Sequence, residues 1–281
     1  MLTLEARNWE EFELRLSEIK SQYGTFKREV PGKDQPYTRD NLTLYRGQSN
    51  FGWGVLTTLE RKGIRDLPAI DYIKMLARIH PELSSHTGKN WALPVGPEVD
   101  KWFSEHVDES RLQLPAYDFL VYLRHHGFPS PLLDWTESPY IAAYFAYANA
   151  HDHDPAVYCY TAWVGAVRGG MVGEAAIENY GPYVRTHPRH FAQKAWYTLA
   201  SRWDYQNERH ILCSHHDVFQ MERTTQDVVV KIKLPASERR AFLRRLEQFN
   251  INQYTLFQSE DALVKSMEMR AFDIQNILPK S

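Results

Sequence analysis

The chain has 281 residues, which allows one large domain or two modest ones at the ~150 residues a domain tends to use. Its 33 Lys and Arg against 35 Asp and Glu leave a formal charge of −2, which excludes a polybasic protein drawn by its overall field to nucleic acid or an anionic membrane. Hydrophobic residues at 43% and charged residues at 24% exclude a disordered chain.

In chain order, Trp9, Phe12, Leu16 and Ile19 recur at helical spacing behind Asn8, so an amphipathic helix capped by Asn8 opens the chain. Pro31 to Asn41 reads as a polar loop. Leu42 to Tyr45 reads as a short strand, with Arg46 at its end and Gly47 allowing a sharp turn. Helices are predicted over Ala69 to Ile79, Pro97 to Val107 and Pro115 to His126, the last stopped by Gly127. Ser138-Pro139 matches an N-cap followed by proline at the first helical position, which starts a helix running to about Ala150. Ala156 to Trp163, Arg209 to Cys213 and Asp227 to Leu234 read as strands, and Ser237 to Gln248 and Glu260 to Met269 as closing helices. Without repeats, low-complexity tracts or linkers, the expected architecture is α+β, a helical N-terminal part packed on a mixed or antiparallel sheet. Residues 1–41 form its N-terminal helix and loop, and residues 42–281 one compact unit.

Two cysteines, Cys159 and Cys213, exclude a disulfide framework and a four-thiolate metal site and suit a reducing compartment. The first residues carry acids where a secretory signal needs an apolar run, and Tyr140 to Ala150 is about half the ~20 residues of a membrane span. A cytoplasmic protein with no membrane partner is expected. Histidines cluster at His125-His126, His151/His153, His187/His190 and His215-His216, yet no metal-ligand spacing supports them, and no metal is assigned.

Three blocks carry a family resemblance. Leu44-Tyr-Arg-Gly-Gln48 precedes Trp53, Leu56, Leu59 and Arg61. His125-His-Gly-Phe-Pro-Ser-Pro-Leu-Leu-Asp-Trp-Thr-Glu-Ser-Pro-Tyr-Ile-Ala-Ala-Tyr-Phe-Ala146 follows, and Leu256-Phe257 leads to Glu260, Asp261, Ala262 and Leu263. In this order, over about Leu42 to Lys265, they resemble FRG-domain proteins, named for the Phe/Tyr-Arg-Gly triplet. Two positions depart from the family pattern: Arg124 stands where Gln is usual, and Ser130-Pro131 replaces a Thr-Arg pair. The resemblance implies a setting in bacterial conflict, as a toxin or antiphage effector, and a regulatory partner protein.

A second likeness is an analogy at the level of fold. An Arg-Gly on an early strand, a Ser/Thr turn leading into an Ala-rich helix and a late Glu-bearing strand are parts of the ADP-ribosyltransferase fold. That analogy implies NAD as co-substrate. Arg46, Gly47 and Gln48 would hold the dinucleotide, and Asp134, Trp135, Thr136 and Ser138 would shape the nicotinamide side. Glu208 would stabilise the cation formed as the nicotinamide bond breaks, with Gln206 orienting an acceptor, a protein or nucleic acid of unknown identity. His125 would serve as a general acid or base.

Each residue also has a structural reading. Trp135 belongs to a core, Asp134 caps a turn, Glu208 pairs with Arg209 at the surface, and His125 bonds its loop. Two functional classes therefore stay open: an ADP-ribosyltransferase or NAD-cleaving enzyme, and a non-catalytic nucleotide or nucleic-acid sensor module. A third, an RNA-directed enzyme, would use His125 and the basic helix bearing Arg239, Arg240, Arg244 and Arg245.

Overall fold

Asn8 accepts a hydrogen bond from the Glu11 amide and starts helix α1 (Trp9–Tyr23), whose Trp9, Phe12 and Ile19 are buried as the apolar spacing requires. The computed structural model describes residues 1–150, 152–165, 173–221 and 227–274. The sheet runs in the order β1 (Leu2–Glu5), β10 (Val228–Lys233), β6 (Ala156–Thr161), β4 (Thr43–Gln48), β5 (Leu133–Thr136), β8 (Ala195–Asp204) and β7 (Ala176–Tyr180), with β9 (Arg209–Leu212) also pairing with β8. Among the described residues only β1 runs parallel to its neighbour, β10; the other ladders are antiparallel. The architecture is thus α+β on a mixed sheet, and β1 and α1 join the same sheet and core as the rest.

Several sequence expectations need correction. The segment expected as a loop contains β3 (Tyr37–Asp40), which forms a separate hairpin with β2 (Thr25–Arg28). Helix α2 (Ala69–Thr87) continues past Pro81 because Ile79 and Leu83 still pack against the core. Pro115 precedes the first turn of α4 (Tyr117–His125) instead of entering it. Gly47 makes no turn: β4 runs through it to Gln48, so Arg46 stands inside the strand.

Among the described residues the buried apolar side chains fall into three clusters. One lies between α1, α5 (Pro139–Ala148), α8 (Arg239–Gln248) and the β6–β10 side of the sheet. A second joins α2, α3 (Pro97–Glu105) and α4 to β8 and β9. The third, including Leu44, Leu133, Trp135 and Tyr158, lies against the sheet beside α7 (His215–Gln220). No helix of the described residues is long and apolar enough to cross a membrane.

Candidate functional site

The contact between β4 and α5 explains the glycine of the Tyr-Arg-Gly triplet. A Cβ at Gly47 would stand 1.9 Å from the Ala142 carbonyl oxygen and 2.5 Å from the Ala146 amide nitrogen. Small residues at 142, 143 and 146 let this helix lie on the strand backbone, and Ser138 caps it by accepting from the Ile141 amide. Alternation along β4 then sends Arg46 to the face opposite α5.

Strands β4 and β5 pair at a single position, Tyr45 opposite Thr136. Beyond it they diverge, and a cavity of about 360 Å³ opens, lined from both strands and from helices to either side. Arg46 bridges the gap, its Nη1 donating to the Asp134 carbonyl at 2.8 Å. Its Nε is buried without a hydrogen-bond partner among the described residues. Burial lowers the Arg46 pKa to about 10, with Asp134 pulling the other way, so the group stays cationic at neutral pH. Arg61, Arg124 and Arg189 also line the cleft, whereas Asp134 is its single carboxylate among the described residues. Arg124 pairs with that carboxylate. Three of four guanidinium charges are therefore left without an opposing acid in the lining, which suits an anionic ligand. Tyr45, Trp53, Phe145 and Phe257 supply aromatic surface, and Trp53 is 51% exposed.

One wall is held by a chain of hydrogen bonds whose direction follows from its last acceptor. His190 Nε2 lies 2.9 Å from the Pro182 carbonyl and so must donate, which leaves its Nδ1 as acceptor for the Tyr197 hydroxyl at 3.3 Å. Tyr197 in turn accepts from His125 Nε2 at 3.1 Å, and His125 Nδ1 accepts from Arg189 Nε at 3.2 Å. This order requires neutral imidazoles, and burial, aided by Arg189, holds the His125 pKa down to about 3. His125 lines the cleft but has both nitrogens engaged, so its geometry is that of a positioning group for Arg189, in place of the acid or base expected.

His215 is likewise pushed down to about 3, mainly by burial. Neither ring binds a proton in the folded protein near neutrality, whereas each does in the unfolded chain below its ordinary value of about 6.5. The unfolded state then holds more protons, so stability falls as pH drops from about 6.5 toward 3. Urea unfolding at pH 7 and pH 5 should show a loss of up to about 2 kcal/mol for each ring. A smaller loss is expected in His125→Gln, and equal stability at the two pH values would contradict the assignment.

The predicted site residues divide. Arg46, Gly47, Gln48, His125, Asp134 and Thr136 meet around the cleft. Gln48 is buried, donating to the Gly54 carbonyl at 3.3 Å. Trp135 contributes to the lining, but its indole is 3% exposed, donates to Thr198 Oγ1 at 2.8 Å and packs on Tyr160 and Phe219, so it cannot stack on a ligand. Ser138 is spent on the cap of α5.

Gln206 and Glu208 are not on a strand at all. They lie exposed in the turn between β8 and β9, where Asp204 accepts from the Gln206 amide and the Asn207 side chain, and Glu208 has φ of 46°. Ala195, at the other end of β8, lines the cleft, and ten residues at ~3.3 Å each put the turn roughly 30 Å away.

The basic helix is also accounted for. Arg239 donates to the last carbonyls of α5 and pairs with Asp273, Arg240 and Arg244 donate to the Ile274 carbonyl, and Arg245 lies over the Trp9 ring. Arg239 thus closes the end of α5 and Arg240 and Arg244 hold the backbone at Ile274, while Arg244 and Arg245 keep exposed surface. Among the described residues no three or more His, Cys, Asp or Glu side chains converge in a way that could hold a metal; His151 lies outside the described residues.

Arg61, Arg124, Arg189, Phe145 and Tyr197 were not assigned to a site from sequence. Arg61 and Arg124 sit in or beside the motif blocks, and Arg124 was visible as a departure from pattern. Nothing in the local sequence marks Arg189 or Tyr197.

Fold and cleft together define an α+β protein with an arginine-rich, aromatic-edged pocket opening between two diverging strands. Residues 41–155 match the family model of the FRG domain. The match takes in β4, β5 and α5, the elements that form the diverging gap. No curated protein and no solved structure gave a match.

Proposed function

We propose that the cleft binds a nucleotide through its phosphates, with NAD the first ligand to test. The observation that carries this reading is the set of four arginines around one carboxylate, in a cavity edged by exposed aromatic surface. Guanidinium forks suit phosphate oxygens, and flat rings suit a base or nicotinamide. A cavity of about 360 Å³ suits one end of a dinucleotide, the remainder reaching past Trp53.

Two of the three parts of the ADP-ribosyltransferase analogy support the reading: Arg46 on one strand, and Thr136 on its neighbour leading into α5. The third, an acid at Glu208, has no support, and Asp134 is already paired with Arg124. The geometry therefore favours a nucleotide-binding module over an ADP-ribosyltransferase.

Titration calorimetry with NAD, ADP-ribose and inorganic pyrophosphate, followed by mass spectrometry for free nicotinamide, tests this. Binding that weakens with salt and releases no nicotinamide is the expected result. Nicotinamide release would move the protein to the NAD-cleaving class, an effector in bacterial conflict. If none of the three compounds binds, the nucleotide reading is lost.

A further inference from the structure

Lys231 is a lysine almost without solvent contact, 7% exposed, in the middle of β10. Burying an ammonium is unfavourable unless its donors are satisfied, and its partners are unusual. Lys231 Nζ donates to the backbone carbonyls of Phe51 and Trp53, the second at 3.3 Å, and lies 4.2 Å from the Phe51 ring centroid and 5.0 Å from that of Tyr158. No carboxylate pairs with it among the described residues.

The register explains how it gets there. Lys231 stands opposite Tyr158, and Tyr158 opposite Arg46, so the three side chains form one row across β10, β6 and β4 on a single face of the sheet. The segment after β4 folds back over this row. Tyr158 adds its own bond, its hydroxyl donating to the Trp53 carbonyl at 2.9 Å, and the Phe51 amide donates to the Asp154 carbonyl at 2.7 Å. Every one of these bonds holds backbone next to Trp53, whose indole remains half exposed at the edge of the cleft.

We infer that Lys231, with Tyr158, is a positioning residue that fixes Trp53 as a stacking plate for the base or nicotinamide ring of the nucleotide. This rests on the nucleotide reading above. It adds a division of labour: the arginines take phosphate, and Trp53, held from beneath by a strand distant in sequence, takes the flat ring. An aromatic plate that is already ordered loses little freedom when a ring docks on it, so the benefit is specific to ligands that carry one.

The test uses the full chain labelled with 5-fluorotryptophan, the Trp53 resonance being identified as the one absent in Trp53→Phe. In Lys231→Met, without ligand, that resonance should shift and broaden while the other seven of the 8 tryptophans keep their positions. NAD affinity should fall about tenfold, within the range of one base–aromatic stack, while inorganic pyrophosphate binds as before. Lys231→Arg should recover part of the NAD affinity. Tyr158→Phe removes only the hydroxyl, so it serves if Lys231→Met does not fold, and should give the same spectral change with a smaller loss of affinity.

A Trp53 resonance unchanged in both variants would overturn the inference. So would equal losses for NAD and pyrophosphate, which would mark Lys231 as a general support of the fold. If the wild-type protein binds neither compound, the nucleotide reading fails by itself, while the spectrum without ligand still decides whether Lys231 orders Trp53.

Discussion

Gly47→Ala should be among the most destabilising single-methyl changes this protein can suffer, costing at least about 3 kcal/mol. The reason is space and not backbone conformation, since Gly47 is not among the glycines of positive φ. Its added carbon would meet the Ala142 carbonyl and Ala146 amide of α5 at 1.9 and 2.5 Å, and backbone atoms of a helix cannot swing aside as a side-chain tip does. The helix would have to lift by an ångström or more. That movement would loosen Ala142, Ala143 and Ala146, all buried, and pull on β5 through the Ser138 cap.

Gly88→Ala is the informative comparison. Gly88 ends α2 at φ of 65° with open space around it, so its cost should be about 1 kcal/mol, from conformation alone. Urea unfolding of both variants against wild type checks the pair. Equal stability of Gly47→Ala and wild type would mean that β4 and α5 do not pack as described.

Arg46→Ala should weaken NAD binding on the order of 100-fold, the equivalent of about 2.7 kcal/mol for loss of a charge-assisted pair of hydrogen bonds. Arg46 is the guanidinium set between the two diverging strands, and its buried Nε has no hydrogen-bond partner among the described residues. Arg46→Lys should regain charge without the planar fork and fall between the two. The alanine variant also leaves the Asp134 carbonyl without its donor, so its melting temperature must be measured beside the calorimetry to separate lost binding from lost fold. A folded Arg46→Ala protein that binds NAD like wild type would remove Arg46 from the site and the strand gap from the argument.

Much of the helical framework was legible in the sequence because its signals act over a turn or two. Asn8 and Ser138 cap the helices they were expected to cap, and Trp9, Phe12 and Ile19 bury the expected face. Strands were harder to see. Strand β8 is buried along most of both faces, so it shows none of the apolar–polar alternation that marks a half-buried strand, and β7, which pairs with it, was missed as well. The Gln206/Glu208 expectation failed for a related reason: a two-residue spacing places side chains on one face only inside a strand, and Asp204 had already turned the chain.

The candidate site shows the same boundary. Residues 46 and 134–136 stood out because they belong to motif blocks, and their neighbours in space include one another. Arg189 and Tyr197 on the second wall, and Lys231 beneath Trp53, carry no local signal, since a solitary arginine, tyrosine or lysine reads alike on any surface. Capping and helical periodicity are interactions between near neighbours, and they are written into the chain. The convergence of four like charges on one acid, the unpairing of β4 from β5 and the burial of a lysine under a loop arise only when segments nearly two hundred residues apart are packed together, because long-range contacts set both the electric field and the space in which it acts.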